Sequence, residues 1–323
     1  MPLLPPPEAL TIAFAHQAYG LAAEFAGRGH PARVLEARSA DGLRAHVGEA
    51  DVVVASGLWR NDMIEAAPKL RFIQSVSAGT DQFDKTRLAR AGIRLASAQG
   101  ANERAVAEHA MALILGLQRQ LHLARDHQAA RYWRPILADR ALREEESGGK
   151  TLVIVGLGRI GLRLAALARP FGFRLLGVRR RPGPCPEVDA LLPPERLYEA
   201  LGEADIVALT CPLTPETEGL IDAPALAALR PSALLVNVAR GRVVDEPALI
   251  AALQEGRLAG AGLDCVHEEP LPAESSLWAM PHVIVTPHSA GETRAYETSV
   301  IDILLDNLGR LARGEAELRN GLV

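Results

Sequence analysis

This 323-residue chain is predicted to be α/β, with two doubly wound domains, each built on its own parallel sheet. Three observations predict it. Short β-branched runs alternate with helical stretches along most of the length. The runs fall into two series, and one long apolar stripe separates them. Strands that alternate with helices pair in parallel beneath helices on both faces.

The first series is Thr11–Ala15, Arg33–Ala37, Asp51–Ala55, Arg71–Ser75 and Ile93–Ser97. The second is Thr151–Val155, Phe173–Val178, Asp205–Leu209, Ala233–Val238, Gly260–Asp264 and Val283–Thr286. Five strands are therefore expected in one sheet and six in the other. Between them, Val106, Ala110, Leu113, Ile114, Leu117 and Leu121 share one helical stripe, so a single long helix is expected over Asn102–His127. Asp126–Lys150, with Trp133, reads as an irregular or partly helical excursion. A last helix over Thr293–Arg313 places Ile301, Leu304, Leu305, Leu308 and Leu311 on one side. It follows the second series and can return to the first domain.

Composition narrows the function classes. The chain is 48% hydrophobic with a formal net charge of -4, which speaks against nucleic acid as a partner. Cys185, Cys211 and Cys265 are too few and too scattered for a disulfide framework, which suits a reducing compartment. The proline-broken start does not read as a signal peptide, and no apolar run approaches the roughly 20 residues that span a bilayer. A cytoplasmic protein with no membrane partner is expected, and no metal site is read.

Val153–Gly161 carries the first chemical signal. A strand runs into Gly156-Leu157-Gly158-Arg159-Ile160-Gly161 and then into the apolar start of a helix. Gly156 permits the tight turn, Gly158 the approach of a pyrophosphate, and Gly161 close packing of helix on strand. The helix N-terminus offers open N–H groups and a positive dipole end to phosphates. Dinucleotide binding follows, against the alternative of a structural glycine turn. About 20 residues on, where an acidic residue would take the ribose hydroxyls of NAD, stand Arg179, Arg180 and Arg181. Arginine suits a 2′-phosphate by charge and geometry; the alternative is a solvated basic loop.

Three further motifs end successive strands of the second series. Asn237-Val238-Ala239-Arg240-Gly241 offers an arginine that can hold a carboxylate through two parallel hydrogen bonds. Asp264-Cys265-Val266-His267-Glu268-Glu269-Pro270 and Thr286-Pro287-His288-Ser289-Ala290-Gly291 add carboxylates and histidines. A histidine paired with a carboxylate is a natural general acid/base. Each motif alone reads as ordinary polar loop. Together, beyond a dinucleotide fingerprint, they read as a catalytic edge.

With these residues in view, the sequence resembles the D-isomer-specific 2-hydroxyacid dehydrogenase family over nearly its whole length. It also shares Val76–Asp81, Asn102–His109 and Cys211-Pro212-Leu213-Thr214-Pro215-Glu216-Thr217 with that family. The resemblance implies a flavodoxin-like substrate domain made of residues 1–100 and 290–323, a Rossmann-type cofactor domain over 101–289, and a cleft between them. It implies a homodimer built largely through the cofactor domains. By position, Arg240 would bind the substrate carboxylate and polarise the carbonyl. His288 would protonate the carbonyl oxygen as hydride arrives. Glu269, the glutamate directly before proline, would orient His288 in preference to Glu268, with His267 a second candidate acid/base. Asp264 would sit near the nicotinamide carboxamide. The N–H groups of Ala78 and Gly79 would hold the carboxylate from the other domain. Gly156, Gly158, Arg159, Ile160, Gly161, Arg179, Arg180, Cys211, Pro212, Thr217, Val238, Ala239, Asp264, His288 and Gly291 would line the cofactor. Arg179 departs from the aspartate often found in NAD-using members, so NADP is the expected cofactor, with NAD possible.

Leu58-Trp59-Arg60-Asn61 follows the third strand and is expected to line the substrate pocket through Trp59 and Arg60. Glyoxylate and hydroxypyruvate lead as substrates. The short tail after the last helix implies no added regulatory domain. A formate dehydrogenase is disfavoured, because Glu269 stands where that relative carries glutamine. A dinucleotide-sensing binding protein of the same fold is the alternative from another class; an intact Arg240, Glu269 and His288 favours the enzyme.

Overall fold

The computed structural model describes residues 3–181 and 183–323. Met1 and Pro2 of the proline-rich head, and Pro182 of the basic loop, lie outside the described residues. The chain divides into two units: Met1–Asn102 with Glu292–Val323, and Glu103–Gly291.

The first unit holds β1 (Thr11–Ala15), β2 (Arg33–Ala37), β3 (Val52–Ala55), β4 (Phe72–Ser75) and β5 (Arg94–Ala96), in the order β2-β1-β3-β4-β5. All pairings are parallel. Every residue of β1 and β3 is buried, as expected of strands covered on both faces. Alternate side chains feed two cores. Ile12 and Phe14 meet Phe25, Val300, Ile301 and Leu304, whereas Ala13 and Ala15 meet Leu43, Met63 and Leu88. Truncating Phe14 to alanine in such a core costs about 3–5 kcal/mol. The C-terminal helix, Tyr296–Ala312, belongs to this unit, and its buried positions Val300, Ile301, Ile303, Leu304, Leu308 and Leu311 follow the helical repeat. Beyond it, Leu322 N–H donates to the Leu95 carbonyl at 2.8 Å, so the tail pairs with β5.

The second unit holds β6 (Thr151–Val155), β7 (Arg174–Val178), β8 (Ala190–Leu192), β9 (Ile206–Leu209), β10 (Leu234–Asn237), β11 (Gly260–Leu263) and β12 (Val283–Val285). The order is β12-β11-β10-β9-β6-β7-β8, again all parallel. Strand order reverses between β6 and β9, and ligands of such sheets bind outside the carboxyl ends at that point. Leu113 of the helix Glu103–Gln118 packs so closely on β11 that a Cβ on Gly262 would lie 3.0 Å from it.

Three expectations are corrected. The second sheet has seven strands, because β8, three residues long, completes its edge. The long connecting helix is two, Glu103–Gln118 and Leu121–Ala129, with Gln120 between them in the left-handed region at φ 51°. The excursion after them carries only a short turn of helix at Arg140–Leu142. The last helix begins at Tyr296 rather than Thr293.

Candidate active site

Gly156 stands at φ 100°, and a Cβ there would lie 2.5 Å from the Cys211 nitrogen. Any larger residue would separate β6 from the loop after β9. A Cβ on Gly161 would lie 2.4 Å from the Gly156 carbonyl oxygen, so the helix Arg159–Ala168 can start this close only with glycine. Thr210 braces the same turn, its Oγ1 donating to the Gly156 carbonyl at 2.7 Å. A Cβ on Gly158, by contrast, would meet nothing within 4 Å. Gly158 caps the helix without a side-chain bond, so the N–H groups of Arg159 and Ile160 open onto that space. A cradle only glycine keeps empty, at a helix N-terminus and a switch point, fits a dinucleotide pyrophosphate.

The loops around the cradle are braced from within. Thr217 Oγ1 donates to the Pro212 carbonyl at 2.6 Å and accepts the Thr214 N–H at 2.8 Å. Cys211 is buried, which pushes its thiol up to about 11 and leaves it an inert wall. Val238 and Ala239 are buried too, and Ala239 N–H is held by Asn237 Oδ1 at 3.0 Å. Gly291 is half-buried. Arg159 lies 3.8 Å from Glu103. Arg179 folds onto its own loop, Nε donating to the Arg181 carbonyl at 2.8 Å and Nη2 to that of Gly183 at 3.2 Å. Arg180 forms an exposed pair with Glu216 at 4.0 Å.

At the ends of β10, β11 and β12 stand the polar side chains. Gly241, after Arg240, packs so tightly that a Cβ would lie 1.8 Å from the Val266 carbonyl oxygen. Arg240 is thereby fixed at the mouth of β10. Its Nη1 donates to the Ala239 carbonyl at 2.7 Å, and Asn237 Nδ2 donates to the Arg240 carbonyl at 2.9 Å. His288 Nδ1 donates to Glu269 Oε2 at 2.8 Å, and Val266 N–H donates to Glu269 Oε1 at 3.2 Å. The bond to Glu269 raises the His288 pKa, against burial, which lowers it. Burial pushes the Glu269 carboxyl up, but the bond and charge of His288 outweigh it and hold the group below its usual range. Arg240 bears electrostatically on both. Nδ1 is engaged, so Nε2 is the nitrogen left to exchange a proton with a ligand.

His288 itself sits in the left-handed region, φ 53°. A buried carboxylate holds it there. Asp264 Oδ1 accepts from Thr286 Oγ1 at 2.7 Å and from Ser289 N–H at 2.9 Å, and Ala290 N–H donates to Oδ2 at 3.1 Å. Asp264 thus anchors the histidine loop. His109, which sequence reasoning quoted without a role, lies behind it with Nε2 2.9 Å from Thr286 Oγ1. Thr286 spends its one proton on Asp264, so His109 is the donor in that bond. His267, the second candidate acid/base, is exposed, and its N–H donates to Glu246 at 2.8 Å. Glu268 is exposed and stays out of the pair.

In the first unit, Ala78 and Gly79 lie just past β4, both half-buried. Trp59 is corrected from a pocket-lining to a core side chain. It is 1% exposed, the largest fully buried side chain, in one cluster with Met63 and Phe83. Arg60 turns back on its loop, Nη1 donating to the carbonyls of Gly57 and Trp59 at 2.7 and 2.8 Å.

Residues 111–290 match the family model for the NAD binding domain of D-isomer specific 2-hydroxyacid dehydrogenases. The chain is 37% identical over 247 residues to glyoxylate/hydroxypyruvate reductase B of Yersinia enterocolitica, covering 76% of this chain and 75% of that one. It is 35% identical over 276 residues to glyoxylate reductase of Pyrococcus furiosus, covering 83% and 80%. Among solved structures, an NADPH-dependent glyoxylate/hydroxypyruvate reductase from Sinorhizobium meliloti, in complex with NADP and malonate, superposes with a TM-score of 0.83 at 26% identity, covering 98% and 97%. The glycine cradle and the ion-paired strand ends thus stand in a chain that belongs to the D-isomer specific 2-hydroxyacid dehydrogenases, NAD(P)-dependent oxidoreductases of small 2-keto and 2-hydroxy acids.

Proposed function

We propose that the chain reduces glyoxylate to glycolate or hydroxypyruvate to the D-2-hydroxy acid, with NADPH preferred and NADH accepted. The observation that carries the reading is the 2.8 Å bond between His288 and Glu269 beside Arg240. A pair raised on the histidine side keeps imidazolium available near neutral pH. When bound, the reduced nicotinamide supplies hydride. His288 then passes its Nε2 proton to the carbonyl oxygen, and Glu269 stabilises the charge that precedes the transfer. Arg240 holds the carboxylate and polarises the carbonyl, and the N–H groups of Ala78 and Gly79 take a carboxylate oxygen. Gly156, Gly158, Arg159, Ile160 and Gly161 hold the pyrophosphate; Cys211, Pro212, Thr217, Val238, Ala239, Asp264 and Gly291 wall the cofactor.

The names of the relatives support the two substrates, and the NADP-bound neighbour and Arg179–Arg181 support the cofactor preference. A nucleotide sensor without turnover would need no proton donor, so the pair speaks for the enzyme. The test is steady-state turnover on a panel of 2-keto acids with NADH and with NADPH. No turnover with any pairing, with NADPH binding confirmed, would overturn the reading in favour of the sensor.

We also read the chain as a cytoplasmic homodimer joined through the cofactor unit. Trp133 and Ile136 are each 95% exposed, with Tyr132 next to Trp133 at 52% and Leu142 further along the same excursion at 58%. A run of large apolar side chains this bare suits a protein partner. The three free thiols suit a reducing compartment. No helix among the described residues is long and apolar enough to cross a membrane. Sedimentation should give a dimer, and Trp133→Asp with Ile136→Asp a monomer; an unchanged dimer would place the interface elsewhere.

A further inference from the structure

The apolar strands β3 and β4 run side by side, with Ala55 opposite Ser75, and each gives way to a serine at its carboxyl end. Ser56 is 5% exposed and Ser75 fully buried. A hydroxyl placed there must find its partners inside the protein. Both do, through each other and through Ser77. Ser75 Oγ donates to the Ser77 carbonyl at 2.9 Å. Ser56 Oγ lies 2.9 Å from Ser75 Oγ. Ser75 has only one proton and has spent it, so Ser56 is the donor of that pair. The Ser77 N–H is shared by the two oxygens, at 3.0 Å from Ser56 and 3.1 Å from Ser75. The Ser77 carbonyl also accepts the Ala98 N–H at 3.0 Å. From behind, Gln74 Nε2 donates to the Ser75 carbonyl at 3.0 Å, and Asn307 Nδ2 donates to Gln74 Oε1 at 3.0 Å.

Both peptide groups of Ser77 are therefore consumed by a closed ring of hydroxyls. The next two N–H groups, those of Ala78 and Gly79, have no partner among the described residues and lie half-exposed. We propose that Ser56 and Ser75 are positioning residues for substrate: their buried hydroxyls lock the Ser77 peptide so that Ala78 and Gly79 present two adjacent N–H groups to a carboxylate. The inference rests on the reading of Ala78 and Gly79 as carboxylate holders. Two fixed backbone donors add neutral hydrogen bonds to the charge that Arg240 supplies, and they hold their geometry only while the turn does.

The test compares Ser75→Ala and Ser56→Ala with the parent enzyme. It measures KM and kcat for glyoxylate, the dissociation constant of oxamate (an unreactive 2-keto acid mimic) from the NADPH-loaded enzyme, and the NADPH dissociation constant. Loss of the ring should raise KM and the oxamate constant about tenfold in Ser75→Ala, and less in Ser56→Ala, which keeps both Ser75 bonds to Ser77. kcat at saturation and NADPH affinity should stay within about threefold. Ser56→Thr, which retains the hydroxyl, should keep the parent KM. If Ser75→Ala does not fold, Ser56→Ala with its threonine control decides. Parent-like KM and oxamate binding in the alanine variants, with any loss confined to melting temperature or kcat, would overturn the proposal. Ala78→Pro separates the two levels by deleting one of the N–H groups. If it weakens oxamate and the serine variants do not, the serines lose their role and the carboxylate reading stands. If it leaves oxamate binding unchanged, the carboxylate reading fails.

Discussion

The two sheets begin alike and end differently. At the amino edge of each, an aspartate just before a central strand accepts the first N–H of its neighbour. Asp51 takes the Thr11 N–H at 2.9 Å and Asp205 takes that of Thr151 at 2.8 Å. At the carboxyl edge, the five-stranded sheet ends β3 and β4 on small neutral serines and open backbone N–H groups. The seven-stranded sheet ends β10, β11 and β12 on Arg240, the Asp264–Glu269 loop and His288. The amino edges carry the same structural device, because both sheets face the same problem of unsatisfied donors. On the proposed function, the carboxyl edges diverge with the task. Backbone amides cannot change protonation, so they suit holding a fixed charge. Moving a proton needs a titratable side chain with a partner that tunes it.

That contrast can be broken at several points. The largest effect is expected from the titratable edge: His288→Ala should lower kcat about 10²–10⁴-fold while NADPH affinity stays within about threefold. Near-parent turnover would remove proton transfer from that edge. Arg240→Lys comes next. It keeps the charge and loses the planar fork, and losing one charged hydrogen bond of about 1.5–3 kcal/mol should lower kcat/KM roughly 10–150-fold. A lysine variant equal to the parent would mean that a point charge suffices there.

Cofactor choice is a smaller effect. Arg179→Asp should reverse an NADPH preference of about tenfold, which corresponds to about 1.4 kcal/mol. The parent preference should shrink as salt rises, because Arg180 and Arg181 are exposed and Arg179 is only half-buried. Comparison of kcat/KM for NADPH and NADH at two ionic strengths checks it, and a parent that favours NADH at both would refute it. The last effect is a displacement of a curve. His288 is raised by Glu269, so reduction should fall off on the alkaline side, above the ordinary histidine value of about 6.5. The pair's contribution to stability follows the same signs. The part carried by His288 is present below its unfolded value and lost as pH rises through the raised one. The part carried by Glu269 is present above its unfolded value and lost as pH falls through the lowered one. Glu269→Gln should move the alkaline limb of kcat/KM to lower pH. A limb that stays in place would mean that another group sets it.

Much of this contrast was legible in the residues. The strand-end motifs announced themselves because glycine, arginine, glutamate and histidine sit in short contiguous stretches whose backbone demands are local. Gly156 and Gly161 were readable for the same reason. What stayed hidden was non-local or unmarked. Ser56 and Ser75 are ordinary residues until β3 and β4 lie side by side. His109 meets Thr286 across 177 positions, and only the packed helix brings them together. The break at Gln120 carries neither glycine nor proline, so the apolar stripe runs through it. Strand β8 is three residues long in a proline-rich stretch, too short for any periodicity. Trp59 shows the opposite error: a tryptophan after a strand end invited a binding role, and the core claimed it.

The first unit is assembled from both ends of the chain, and this sets a timetable for its birth on the ribosome. Its opening hundred residues emerge with Phe14, Phe25 and Phe72 awaiting the helix Tyr296–Ala312, while Glu103–Gly291 is still being synthesised. At about 5–20 residues per second that delay is on the order of ten seconds or more. The later-made central unit therefore completes its fold first, and the earlier-made segment waits with an uncovered apolar face. Released chains that end at residue 291 should resist protease over the central unit and be cleaved readily before Asn102, and equal resistance of the two would mean that the opening segment shields itself.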